Sequence, residues 1–155
     1  MRIGELSVEK SKLITEMTRV QNQVNSLRSQ FANVLGRAPP PGSPQGAIQQ
    51  HDNEKNVVKA HITQALPVQG GMVASLATRE EGIRTQLNNI MAPLNTLMNL
   101  LDTQKTALAD VSQEMTQPNL GSDQQVLDFL QDLEKKLEKA IATNRTIWMG
   151  LNQLK

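Results

Sequence analysis

The stretch TEMTRVQNQVNSLRSQFANV, residues 15–34, decides the fold. Its large apolar residues are separated by alternating steps of three and four, and nearly every residue between them is Gln, Asn, Ser, Thr or Arg. These apolar residues are Met17, Val20, Val24, Leu27, Phe31 and Val34. Such spacing puts one narrow apolar stripe on a helix and is typical of helices that pack lengthwise against other helices.

The same stripe continues toward the N-terminus through Ile3, Leu6 and Leu13, with Lys10 as its one polar interruption. Gly36 follows the stripe at the place where a helix commonly ends. We therefore expect a first helix over about residues 3–35.

The segment after this helix contains the main breaks in the pattern. RAPPPGSPQG, residues 37–46, is too rich in Pro for a helix and reads as a surface linker or, alternatively, as a Pro-motif ligand for another domain. A short helix is predicted over residues 52–66, ended by Pro67, and Gly70 and Gly71 break the chain again.

A longer heptad pattern fills residues 72–115, with Glu80 and Gln104 as its two polar core positions. Thr78 and Glu81 have the spacing of a capping box, so the helix could begin there. Pro93 falls inside the pattern without shifting its phase, which predicts a kinked helix with a preserved stripe.

A last helix is predicted over residues 123–154, beginning at a Ser122–Gln125 capping box. The short break at residues 116–121 makes the last two long segments antiparallel neighbours. Asn144 occupies a core position of this helix, where a buried Asn would fix helix register; the alternative is a solvent-facing position near a bundle end.

These stripes predict an all-α chain of long helices with heptad seams. An antiparallel helical hairpin and an N-terminal helix would pack as a coiled coil or a three-helix bundle. The predicted organisation is an N-terminal coiled-coil helix at 1–36, a linker at 37–51, and a short helix followed by the hairpin at 52–155. The predicted register-setting residues are Lys10, Gln104 and Asn144. The predicted packing seam consists of Leu13, Met17, Val20, Val24, Leu27, Phe31, Leu87, Ile90, Leu94, Leu97, Leu101, Leu130, Leu133, Leu137, Ile147 and Leu151.

Composition argues against a chemical function. The chain has no Cys and no Tyr, and its two histidines, His51 and His61, are too far apart in sequence to share a helix face in the manner of a zinc motif. No phosphate-binding loop or nucleophile elbow is present. We therefore expect no enzyme activity, cofactor, metal or small-molecule substrate. A net charge of +1 and interleaved acidic and basic residues also make nucleic acid an improbable partner.

The N-terminus lacks the apolar core of a secretory signal, and no run of about 18 apolar residues is present. The expectation is a soluble protein without a membrane span, located in the cytoplasm or within a particle.

Three functions fit this pattern. The first is a structural subunit that oligomerises through coiled-coil helices, with itself and with other subunits, in a virion, a phage tail or neck, or a secretion apparatus; that setting rests on analogy alone. The second is a cytoplasmic helical-bundle adaptor or chaperone that binds a partner's helix. The third is a peripheral lipid-binding bundle, against which the near-neutral charge weighs.

Overall fold

The computed structural model describes residues 3–90 and 95–154. Within these residues the chain forms four helices, α1 (Ile3–Leu35), α2 (Gln45–Ile90), α3 (Asn95–Thr116) and α4 (Asp123–Gln153), and no strand. The predicted all-α class is therefore confirmed.

The four helices form a closed ring in which each helix touches two others. α1 and α3 each pack against both α2 and α4. Lys10 near the start of α1 bonds Glu80 near the end of α2, and Arg84 late in α2 pairs with Asp102 early in α3. α4 runs against α1 and α3 in the same antiparallel sense. The result is an up-down-up-down four-helix bundle.

The core of this bundle is almost wholly aliphatic. Of the three aromatic residues, Phe31 is fully buried, whereas Phe129 lies at the edge of the core and Trp148 is 37% exposed. Leucine, isoleucine, valine and methionine from all four helices make one continuous cluster. The apolar stripes therefore close on one another inside a single chain.

The predicted break at Pro67 is wrong, because α2 begins at Gln45 and runs through this proline as one helix. The buried stripe continues on both sides of Pro67, and this packing outweighs the lost hydrogen bond. Gly70, without a Cβ, lets α3 come close, and the Ser112 hydroxyl donates to the Gly70 carbonyl at 2.6 Å. Thr78, expected to cap a helix, lies inside α2.

The prediction of one helix over residues 72–115 is also wrong. α2 ends at Ile90, and α3 begins at Asn95 and packs back antiparallel against α2. The expected kink at Pro93 lies outside the described residues. The chain reversal adds a helix, so the bundle has four helices where the sequence favoured three.

Two helix ends agree with the local signals in the sequence. α1 ends at Leu35, and the Gly36 amide donates to the Ala32 carbonyl at 3.0 Å. The Ser122–Gln125 capping box is confirmed: the Ser122 hydroxyl accepts from the Gln125 amide at 3.2 Å, and the Gln125 side chain accepts from the Ser122 amide at 2.8 Å.

The helices differ in length, and this leaves part of α2 without α3 beside it. α2 has 46 residues and α3 has 22. Because Ser112, near the end of α3, already meets Gly70, the first half of α2 extends beyond α3. There it contacts the end of α1, where the His51 ring lies 2.8 Å from the Val34 carbonyl oxygen.

Candidate functional site

A buried ion pair joins α1 to α2. Lys10 of α1 donates to the carboxylate of Glu80 of α2, and both side chains are completely excluded from solvent. Each residue occupies a core position of its heptad pattern, which is why the two meet when α1 and α2 pack antiparallel. Such a pair is costly to desolvate and holds together only while both partners are present.

Asn144 of α4 completes this group, which we call the polar core cluster (Lys10, Glu80 and Asn144). The Lys10 ammonium donates to Asn144 Oδ1 at 2.8 Å, and the Asn144 amide nitrogen points at the sulfur of Met17. Asn144 is also fully buried. Its alternative position, facing solvent near a bundle end, is thus not the one it occupies.

The surroundings of the cluster oppose charge on both ionisable groups. Burial lowers the pKa of the Lys10 ammonium, and the attraction of Glu80 works against that shift. Burial likewise raises the pKa of the Glu80 carboxyl, and Lys10 works against that shift. The second carboxylate oxygen of Glu80 accepts no hydrogen bond from the residues that the structure describes. Glu80 therefore depends chiefly on Lys10 for its compensation.

Gln104 brings a polar side chain from α3 into the same core. Its amide donates to the Ala140 carbonyl at 2.7 Å and lies 3.7 Å from the sulfur of Met17, the atom that Asn144 also approaches. Each of the four helices thus contributes one large, nearly or fully buried polar side chain, and Met17 lies between two of them.

Of the three predicted register-setting residues, the structure brings Lys10 and Asn144 into direct contact and places Gln104 against Met17, which Asn144 also approaches. Glu80, the partner of Lys10, is not among the predicted register-setting residues. The sequence does carry one signal for this pair, since Glu80 is an acidic residue at a core position, as Lys10 is a basic one. The contact between the two also depends on α1 and α2 being neighbours in the bundle.

The predicted seam residues that the structure describes are buried, with Ile90 as the exception. Leu13, Met17, Val20, Val24 and Phe31 are fully buried, as are the members of the seam in α4. Ile90, the last residue of α2, is 40% exposed. Leu94 lies outside the described residues.

Arg79 bridges α1 and α2 on the surface beside the polar core cluster. Its guanidinium donates to Glu9 at 2.7 Å and also to Glu16. Arg79 thus closes the solvent side of the α1–α2 contact that Lys10 and Glu80 join from within.

The cluster can act as an internal link but not as a reaction centre in this conformation, because a solute has no access to its atoms. Across residues 3–90 and 95–154, no group of three or more His, Asp or Glu side chains is placed to hold a metal ion. In the same residues, no helix combines the length and the apolar character that crossing a bilayer requires.

No protein-family model, no curated protein and no solved structure matches this chain.

Proposed function

We propose that this chain is a non-enzymatic structural subunit that associates with itself and with other subunits of a larger assembly. The observation that carries the proposal is how the apolar side chains are divided. The heptad stripes are closed inside one molecule, while several large apolar side chains remain on outer faces, among them Val8, Val57, Val68 and Met149, each more than half exposed.

This division changes the expected mode of association. An intermolecular coiled coil made from the seam residues would require the bundle to open, because Leu13, Phe31 and Leu137 already have partners in the same chain. We therefore place the contact between subunits on an outer face of the folded bundle. Virion, phage tail or neck, and secretion-apparatus assemblies remain the settings we propose, by analogy with other helical building parts.

The absence of catalytic activity is part of the proposal. Burial lowers the pKa of Lys10 and raises the pKa of Glu80, and ionisable groups with perturbed pKa values often mark functional sites. Here each is compensated by the other in a core closed to solvent. This arrangement is what a structural ion pair requires, and general acid–base work would need an open cleft beside it.

Sedimentation equilibrium of the purified chain tests the proposal. Self-association should appear as a mass above 17.1 kDa that rises with protein concentration. A mass equal to one chain at every concentration up to the solubility limit would contradict it.

The alternative function, an adaptor or chaperone that binds a partner's helix, is favoured by one feature. A groove of about 1110 Å³ lies between α1 and α2 near the start of α1, with Ile3, Leu6, Val8, Ile83 and Ile90 among its lining residues. Grooves of this kind accept the apolar face of an amphipathic helix. This alternative would be supported if the chain is monomeric and binds an amphipathic helical peptide, and if the Val8→Glu variant no longer binds that peptide.

A further inference from the structure

The four helices pack as two closely joined pairs. α1 packs more extensively against α4 than against α2, and α3 packs more extensively against α2 than against α4. Within the first pair the Ser7 hydroxyl donates to Asn152 at 2.6 Å, and within the second the Ser112 hydroxyl donates to the Gly70 carbonyl at 2.6 Å. We call these pairs the α1–α4 leaf and the α2–α3 leaf.

Grooves follow both contacts between the two leaves. The groove of about 1110 Å³ described above lies between α1 and α2. A second groove, of about 610 Å³, lies between α3 and α4, with Gln104, Val111 and Phe129 among its lining residues. Because protein interiors are normally close-packed, these grooves mark the places where the contact between the leaves is incomplete.

The chain passes from one leaf to the other at one end of the bundle. It crosses from α1 to α2 at residues 36–44 and from α3 to α4 at residues 117–122. Both crossings lie at the end where Lys55 of α2 bonds Asp123 at the start of α4, at 3.3 Å. At the opposite end, the free end, α1 begins and α4 ends, and residues 91–94 connect two helices of the same leaf. The four helices thus leave the free end without a crossing between the leaves.

The polar core cluster joins the leaves toward the free end. The pair of Lys10 and Glu80 spans the α1–α2 contact, and Gln104 spans the α3–α4 contact by donating to the Ala140 carbonyl at 2.7 Å. Toward the crossings the core is apolar and contains the fully buried ring of Phe31. Buried ions regain their hydration when they are exposed, whereas apolar side chains lose free energy on exposure. The leaves therefore resist separation less at the polar core cluster than near the crossings.

We propose that the bundle opens as a two-leaf hinge, in which the leaves part at the free end and the polar core cluster is the latch. Residues 36–44 and 117–122 are the hinge, because both lie outside the helices, where backbone torsions absorb such a rotation. Leu6 and Ile83, both buried at the free end, hold the leaves closed in this structure, so the open state is the minor one. This inference goes beyond the proposed function and does not depend on it.

The hinge predicts displacements that depend on the distance from the crossings. Val8 lies about 40 Å from the end of α1 and Gln30 about 8 Å from it. A rotation of about 15° would therefore move Val8 by about 10 Å and Gln30 by about 2 Å relative to the other leaf.

Double electron–electron resonance between spin labels measures these displacements, and the absence of cysteine in the chain allows labels at chosen pairs. Val8→Cys with Asn89→Cys spans the leaves at the free end. Val8→Cys with Met149→Cys stays within the α1–α4 leaf at the same end and is the matched control. Gln30→Cys with Asn56→Cys spans the leaves near the crossings. All five side chains are exposed, and an excess of unlabelled chain confines the measured distances to one molecule.

The first experiment follows the three pairs through increasing urea, below the concentration at which far-ultraviolet circular dichroism shows loss of helix. The pair at residues 8 and 89 should gain a population about 10 Å longer. The pairs at 8 and 149 and at 30 and 56 should keep their distances within about 2 Å. If all three pairs kept their native distances until the helices unfold, the hinge would be overturned. The same conclusion would follow if the pair within one leaf lengthened together with the pair that spans both.

The second experiment tests the latch by the same measurement without urea. Lys10→Met leaves the Glu80 carboxylate without its cation, and opening would return that carboxylate to water. The longer population of the pair at residues 8 and 89 should therefore rise at least tenfold, whereas Lys10→Met with Glu80→Met should hold it at or below the wild-type level. A double variant that opens as far as the single variant would exclude the cluster as the latch. If the single variant does not fold, the comparison of the double variant with the wild type in urea decides, because the double variant should need more urea to open.

Discussion

Replacing Lys10 with Met while keeping Glu80 probes the polar core cluster most severely. Both side chains are fully buried, so the variant leaves a carboxylate in the core without its cation. Removing one member of a buried ion pair costs about 3–5 kcal/mol. Since domains of this size are stable by about 5–15 kcal/mol, the variant should lose a large part of its free energy of unfolding.

The double variant Lys10→Met with Glu80→Met is the matched control. It removes both charges at similar volume, a change that is often neutral or stabilising for a buried pair. Against this, Asn144 Oδ1 loses the ammonium that donates to it, which costs about 1–3 kcal/mol. We expect the free energy of unfolding of the double variant to lie within about 2 kcal/mol of the wild-type value and well above that of the single variant. Urea denaturation followed by circular dichroism measures all three proteins.

The pH dependence adds an independent check. Burial keeps the pKa of Glu80 above its ordinary value of 4.5, so the folded state retains a proton that the unfolded state has already released. The contribution of Glu80 to the free energy of unfolding therefore falls as the pH rises from 4.5 through the pKa of this group in the folded state. The contribution is recovered when the pH is lowered again. The gap between the single and double variants should shrink as the pH is lowered from 7 toward 4.5. The reasoning would be refuted if the difference in free energy of unfolding between the single and double variants did not change with pH. It would also be refuted if Lys10→Met alone lowered the free energy of unfolding by less than about 1 kcal/mol.

Four further substitutions test the packing, the capping and the continuity of the helices, each by thermal or urea unfolding. Gly70→Ala should destabilise by about 1–3 kcal/mol, because its Cβ would lie 3.1 Å from that of Met115; Gly71→Ala, with nothing within 4 Å, should stabilise by about 0.4–1 kcal/mol. A stabilising Gly70→Ala would contradict the close α2–α3 contact. Ser122→Ala should cost about 1 kcal/mol through loss of the capping box, and equal stability would show that the box contributes nothing. Pro67→Ala should stabilise by up to about 3 kcal/mol by restoring a backbone donor inside α2, and a loss would mean that the ring makes needed contacts.

Where the sequence carries a local signal, the prediction and the structure agree. α1 and the start of α4 were predictable because a long apolar stripe, Gly36 and the Ser122–Gln125 box each depend on neighbours in the chain. The predicted helix breaks at Pro67 and Gly70 are wrong for the opposite reason. Their local preference is to end a helix, but the buried stripe of α2 continues on both sides of Pro67, and Gly70 packs closely against α3.

The turn between α2 and α3 was missed because an apolar stripe carries no information about chain direction. Both arms of an antiparallel hairpin can present a stripe in the same phase, so Leu87 and Leu101 fit one continuous heptad while lying on different helices. The polar core cluster was missed in part for a related reason. Lys10 and Glu80 are far apart in sequence, and their contact depends on which helices are neighbours around the bundle.

The central claim is that the apolar stripes of this chain pack against one another within one molecule. The most direct test is the urea midpoint of the chain over the range of protein concentrations at which sedimentation equilibrium gives the mass of one chain, because unfolding coupled to association depends on concentration and unfolding of a single chain does not. The account predicts one midpoint across that range. A midpoint that rises steadily with protein concentration would mean that the stripes are closed by neighbouring copies.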